Sequence, residues 1–151
     1  MKKLLITLLA ISLVAGICNA QTTPGLIGFA GARYDDGLVL SYGLEIPISG
    51  NLSAINYVDW GKYGSVNAEV AFTMKPFAGT YIKLLAGPDA TWIDPQDNPV
   101  VYLVGAAGAV VAKDFSSKVG GWFYGKYKFK FDNGAGFQNG SDFGAGLFYR
   151  F

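Results

Sequence analysis

The sequence predicts an all-β protein, with eight antiparallel strands following one another in an up-and-down meander. Three observations carry that expectation. Period-two alternation of apolar and polar residues recurs along the chain, and no window sustains the i, i+3, i+4, i+7 apolar pattern of a capped helix. Turn signals cut the chain into eight segments. Glycine is abundant at 21 residues and aromatics reach 15%, while charged residues make up only 15%. A water-exposed surface typically carries roughly 25–35% charge.

The first twenty residues, "MKKLLITLLAISLVAGICNA", are set apart from the fold. Lys2 and Lys3 form a short basic start, Leu4 to Ile17 is an apolar run, and Ala20 offers a cleavage point before Gln21. That is the layout of a secretory signal peptide, too short to serve as a transmembrane helix. A lipidated cysteine needs a small residue before it, and Ile17 precedes Cys18. The sole cysteine therefore leaves with the signal, and the mature domain, residues 21–151, must hold together without the disulfides usual in small secreted domains. Loss of Lys2 and Lys3 leaves ten basic residues against eleven acidic, a net charge of −1. That balance lacks the basic footprint of a nucleic-acid partner.

The segments follow in order, at about 25–34, 38–47, 52–60, 66–75, 81–87, 100–112, 119–131 and 142–151. The first, "GLIGFAGARY", is small or apolar on both faces; its glycines do not precede a helix, so they are not a phosphate loop. In the second, Leu38, Leu40, Tyr42, Leu44 and Ile46 oppose Ser41, Gly43 and Glu45. The third, fifth and sixth again have two apolar or small faces. In the fourth, Val66, Ala68, Val70, Phe72 and Met74 oppose Asn67, Glu69, Thr73 and Lys75. The seventh, "VGGWFYGKYKFKF", puts Val119, Phe123, Tyr127, Phe129 and Phe131 opposite Lys126, Lys128 and Lys130. The eighth puts Phe143, Ala145, Leu147, Tyr149 and Phe151 on one face and Arg150 on the other.

The connections alternate in character. Even-numbered links, "PISGN", "KPFAGT" and "KDFSSK", are short. The odd set holds the two long loops, near 88–99 and 132–141, and most acidic residues, including Asp35, Asp36, Asp59, Asp89, Asp94, Asp97, Asp132 and Asp142. In a meander all odd links share one end. Short turns at one end and longer polar loops at the other is the asymmetry of an outer-membrane barrel.

Two barrels use such alternation. A soluble ligand-binding barrel turns its apolar face inward, and a membrane barrel turns it to lipid. The thin polar faces favour the membrane, as does the gathering of aromatics near strand ends: Tyr34, Trp60, Tyr63, Phe77, Tyr81, Trp92, Phe115, Trp122, Phe129, Phe131, Tyr149 and Phe151. Charges of both signs on the polar faces predict a lumen network in which Glu45 and Glu69 meet Lys126, Lys128 and Arg150. The fold expected is thus an eight-stranded antiparallel transmembrane β-barrel behind a cleaved signal peptide.

With these features the chain resembles the small eight-stranded outer-membrane barrels of Gram-negative bacteria, such as OmpX, OmpW, the opacity-type proteins and the membrane domain of outer-membrane protein A. Its terminal strand resembles their C-terminal assembly signal, polar–x–Gly–x–x–aromatic–x–aromatic. Gly146, Tyr149 and Phe151 match, and Gly144 stands at the polar position. The resemblance implies the barrel-assembly machinery as a partner, with outer-membrane lipid and lipopolysaccharide around a monomer. Enzymes of this architecture use His and Ser. The chain has no histidine, so no usual nucleophile–base pair can be assembled and a non-enzymatic role is expected, with no cofactor. Glu45 and Glu69, on one face, are expected to serve as ion-pair partners in place of an acid–base pair.

The expected role is that of a side-chain-filled anchor, since eight strands leave an interior only just wide enough for side chains. Surface loops 88–99 and 132–141 would make structural, adhesion or receptor-type contacts with an extracellular partner. Trp92 and Phe137 are the candidate aromatic anchors there. Asp94 and Asp97 of "DPQDN" lack the spacing of a calcium loop and read as a solvated loop in the same surface. A narrow channel for small solutes, suggested by Ala106, Gly108 and Ala112, and a soluble secreted barrel are the alternatives.

Overall fold

The computed structural model describes residues 25–34, 38–60, 63–93, 100–130 and 140–151. The expected signal peptide, residues 1–20, lies outside the described residues. Eight strands form: β1 (Ile27–Tyr34), β2 (Leu38–Ser49), β3 (Leu52–Trp60), β4 (Tyr63–Phe77), β5 (Thr80–Ile93), β6 (Val100–Asp114), β7 (Val119–Lys130) and β8 (Gly140–Arg150). Each pairs antiparallel with its chain neighbours, and β8 returns to β1, so the sheet is a closed barrel.

Closure fixes the chain's last residues. Ile27 lies opposite Arg150 and Tyr34 opposite Phe143. The Phe151 amide donates to the Leu26 carbonyl at 3.1 Å, and the Arg150 amide to the Lys118 carbonyl at 2.8 Å. A closed barrel leaves no strand edge unpaired, and β8 accordingly pairs with β1 on one side and β7 on the other.

The two ends differ. At the turn end, residues 50–51, 78–79 and 115–118 connect the strands, with Gly50 (φ +53°) and Gly79 (φ +66°) taking the left-handed conformation these tight turns need. The other end carries the four odd-numbered links and is called the loop end below.

Period two puts alternate residues inside and outside. Outside, twenty-one large apolar side chains among the described residues are exposed, nineteen of them on strands and with all eight strands contributing; Leu103 is 67% exposed, Leu147 58% and Val70 52%. Inside lie Arg33, Ser41, Asp59, Ser65, Asn67, Glu69, Asp89, Lys126, Lys128 and Asp142, all buried. Among the described residues, the alternating faces read from β2, β4, β7 and β8 are those of the structure; Phe131 and the Leu38 side chain lie outside them.

Three expectations are corrected. β5 runs on to Ile93, so residues 88–93 are strand and not loop. Gly87 and Pro88 suggested a break, yet β5 keeps one register with β4 on both sides of them, Asn67 opposite Asp89 and Val70 opposite Ala86. A Cβ on Gly87 would collide with the Ala68 carbonyl of β4, so glycine there lets the two strands close up. Tyr81 and Trp122, expected in an outer aromatic girdle, instead line the interior. Their parity within β5 and β7 turns them inward. The side-chain-filled lumen is the third correction, taken up below.

Candidate functional site in the barrel lumen

The lumen divides into two halves. In the loop half, β1, β3, β5, β7 and β8 bring five charged side chains together. Arg33 Nη1 lies 2.8 Å from Asp59 Oδ2 and 3.0 Å from Asp142 Oδ2. Lys128 Nζ lies 3.0 Å from Asp142 Oδ2 and 2.8 Å from Asp89 Oδ2. Asp142 thus bridges the two cations. Hydroxyls add to the shell: Ser41 and Ser65 donate to Asp59 at 2.5 and 2.6 Å, and Thr91 donates to Asp89 at 3.0 Å. Such a cluster persists inside a protein only when its charges are paired and bonded, as these are.

At mid-height Lys126 Nζ meets Glu69 Oε1 at 3.0 Å, and the Tyr57 hydroxyl donates to the same oxygen at 3.2 Å. The ammonium also lies 4.2 Å from the Tyr57 ring centroid and 5.2 Å from that of Tyr124. Rings on two sides and a carboxylate on a third replace its water.

The turn half is built differently. Ile55, Tyr57, Ala71 and Leu85 form a buried apolar cluster, with Phe29 and Val110 against it. Trp122 stacks on Tyr124 at 5.4 Å and meets Phe29 edge-on at 5.9 Å. Gly31 and Gly146, opposite each other on β1 and β8, make room for that indole, since a Cβ on either would meet its ring. Lys83 and Glu45 form an ion pair on the wall, with the Ser53 hydroxyl donating to Glu45 at 2.8 Å. At the mouth Arg150 Nη2 bonds Asp114 Oδ1 at 2.6 Å, and the Tyr81 hydroxyl donates to Asp114 at 2.7 Å. Between these groups lies an open cavity of about 250 Å³. The expectation of a side-chain-filled lumen is therefore corrected in the turn half, which is open. There Phe29 joins Tyr57 of β3 to Trp122 of β7, and the rings leave the cavity beside them open.

Of the five charges expected to share one network, the structure brings together Glu69 and Lys126 only. Lys128 joins Asp89 and Asp142, and Glu45 joins Lys83. Arg150, expected to reach Glu45 or Glu69, instead bonds Asp114. Glu45 and Arg150 are both register partners of Ile27, and Glu45 is taken by Lys83 as Glu69 is by Lys126. Arg33, Asp59, Asp89, Asp142, Lys83 and Asp114 were missed. Their signal was parity: Asp142 shares the face of Arg150, and Asp59 the face of Tyr57.

In the terminal strand, Tyr149 and Phe151 point outward with rings 5.3 Å apart, and Gly146 points inward beneath Trp122. Gly144, the departure from the assembly signal, has a structural reason. It lies opposite Tyr124, whose ring occupies the place of any side chain. Trp92 lies on β5, though its side chain, like Asp94, Asp97, Phe137 and the links that carry them, lies outside the described residues.

Comparison with protein-family models finds no match, and no curated protein matches the chain. Two solved structures share the fold. The N-terminal β-barrel domain of Pseudomonas aeruginosa OprF is similar with a TM-score of 0.72 at 9% identity, over 85% of this chain and 98% of that one. A chain from the de novo design of transmembrane β-barrels is similar with a TM-score of 0.58 at 16% identity, over 84% and 96%. At such identities the likeness is one of fold.

Proposed function

We propose that this chain is an integral outer-membrane β-barrel protein of non-enzymatic role, an anchor that presents its loops at the bacterial surface. The belt of exposed apolar side chains drawn from all eight strands carries the reading. Soluble monomers rarely expose contiguous apolar patches beyond about 300–600 Å². This belt encircles a barrel whose interior holds the ion pairs, the reverse of a soluble barrel. Lipid and lipopolysaccharide would cover the belt. Tyr149 and Phe151, at the turn end, suit presentation to the barrel-assembly machinery, and a monomer suffices because closure leaves no edge to pair.

The loop-half ion cluster supports a closed anchor over a channel, since Arg33, Asp59, Lys128 and Asp142 are all buried. Contacts with an extracellular partner would fall to the loop beyond Ile93 and to the link before Gly140. Fractionation of cells tests the placement: the mature protein should travel with outer membranes and migrate heat-dependently on gels. Recovery in the aqueous phase after detergent phase separation would refute it. Planar-bilayer recordings test the closed lumen, and stable conductance steps would favour the channel instead.

A further inference from the structure

The turn-half cavity has no part in an anchor. We propose that it binds a medium-chain anionic amphiphile of the alkyl carboxylate class, taken in tail-first from the turn end. The site goes beyond the anchoring role and stands on the cavity alone.

Its wall is mainly apolar, with Ser41, Ser53 and Thr73 as minor polar members, and its rings are held in place. Phe29, Ile55, Leu85, Val110, Trp122 and Phe148 line it, and Phe29 is wedged between Tyr57 at 6.1 Å and Trp122 at 5.9 Å. The charges at its inner end are covered, with Glu69 2% and Lys126 3% exposed, so a tail meets rings and methyl groups. Water fills a void well only where polar partners surround it. The volume of about 250 Å³ has room for roughly eight atoms of methylene size if each takes about the ~30 Å³ of a water molecule.

The mouth sets the sign of the head group. The lining carries Lys75, Lys83, Lys126 and Arg150 against Glu45 and Glu69. Three of the four cations are matched: Lys83 by Glu45, Lys126 by Glu69 and Arg150 by Asp114. Lys75 is exposed at the rim, its ammonium 5.6 Å from the Tyr81 ring centroid, and pairs with no carboxylate among the described residues. An acyl chain seated on Leu85 and Val110 would leave its carboxylate within reach of that ammonium.

The test uses the mature chain in lipid nanodiscs, with Trp60→Phe and Trp92→Phe leaving Trp122 as the sole indole. Decanoate brominated at its terminal carbon should quench Trp122 saturably. Decylammonium of the same length should compete at least tenfold more weakly than decanoate. Lys75→Gln should weaken decanoate about three- to fivefold, the size of an exposed charge contact, and leave decanol unchanged. Val110→Phe and Leu85→Phe, which fill the void, should each abolish saturable quenching. Quenching that survives both fillings is bilayer partitioning and overturns the site, as does decylammonium binding as well as decanoate. Heat-dependent migration of each variant reports barrel folding independently, so failure to enter a membrane is seen separately from failure to bind.

Discussion

The two halves of this lumen are lined by the same eight strands and differ in how they deal with charge. In the loop half Arg33, Asp59, Lys128, Asp89 and Asp142 interlock with almost no exposure, and serine and threonine hydroxyls bond Asp59 and Asp89. In the turn half the ion pairs stand singly on the wall, and a cavity remains among the rings. An eight-stranded barrel is therefore not filled simply because it is narrow. The branched ion network leaves no such opening in the loop half, whereas the touching rings of Tyr57, Phe29 and Trp122 leave one beside them.

Loss of the network's hub should cost the most. Arg33→Met leaves Asp59 and Asp142 buried without their shared cation, and breaking such pairs costs about 3–5 kcal/mol. Urea unfolding in lipid vesicles measures it; a loss below ~1 kcal/mol would mean the cluster does not hold the loop half together. Next in size are two neighbours on β4 with opposite faces. Glu69→Ala strands Lys126 inside, whereas Val70→Arg puts a charge against lipid, at roughly 2–4 kcal/mol if near the midplane. Both should destabilise, and only the first should be rescued in part by Lys126→Met. Equal and negligible effects would invert the faces.

A pair of equal substitutions sharpens the contrast. Val104 is fully buried in the loop half, between Asp89 on β5 and Lys130 on β7. Val110 borders the cavity. Val104→Phe should cost about 1–3 kcal/mol by overpacking. Val110→Phe, with empty space before it, should stay within ~1 kcal/mol of the parent in the same unfolding assay. Similar losses at both sites would show that the turn half relaxes to fill its own void.

Much of this architecture was legible where one face is apolar and the other polar, as in β2, β4, β7 and β8. It was obscure in β1, β3, β5 and β6, whose inward faces carry Phe29, Ile55, Leu85 and Val110, as apolar as the outward ones. The aspartates misled for a related reason. Asp59, Asp89 and Asp142 lie at or near the loop ends of their strands, where carboxylates usually mean solvent. Only pairing across the barrel shows that they share Arg33 and Lys128. Ion pairs between residues as distant in sequence as Arg33 and Asp142 follow from closure and register, which no single segment encodes.

The smallest expected effect tests the comparison most directly, because it repeats the chemistry of Arg33 in other surroundings. Arg150 also pairs with an aspartate at short range, 2.6 Å from Asp114. There the side chains keep 23% and 20% of their surface in contact with solvent, against none for Arg33 and Asp59. Water can take over each partner when the other is removed, so Arg150→Met should cost only about 0–1 kcal/mol. Part of that loss is packing, since the guanidinium lies 4.7 Å from the Phe148 ring centroid, and methionine retains it. The charge-dependent remainder should vanish as salt rises from about 0.1 to 1 M, where the screening length falls from ~10 to ~3 Å. The loss from Arg33→Met should persist through the same titration, because no ions reach that pair. Matching salt dependence at the two arginines would show that solvent penetrates the loop half as freely as the mouth, and the division of the lumen would then have no energetic meaning.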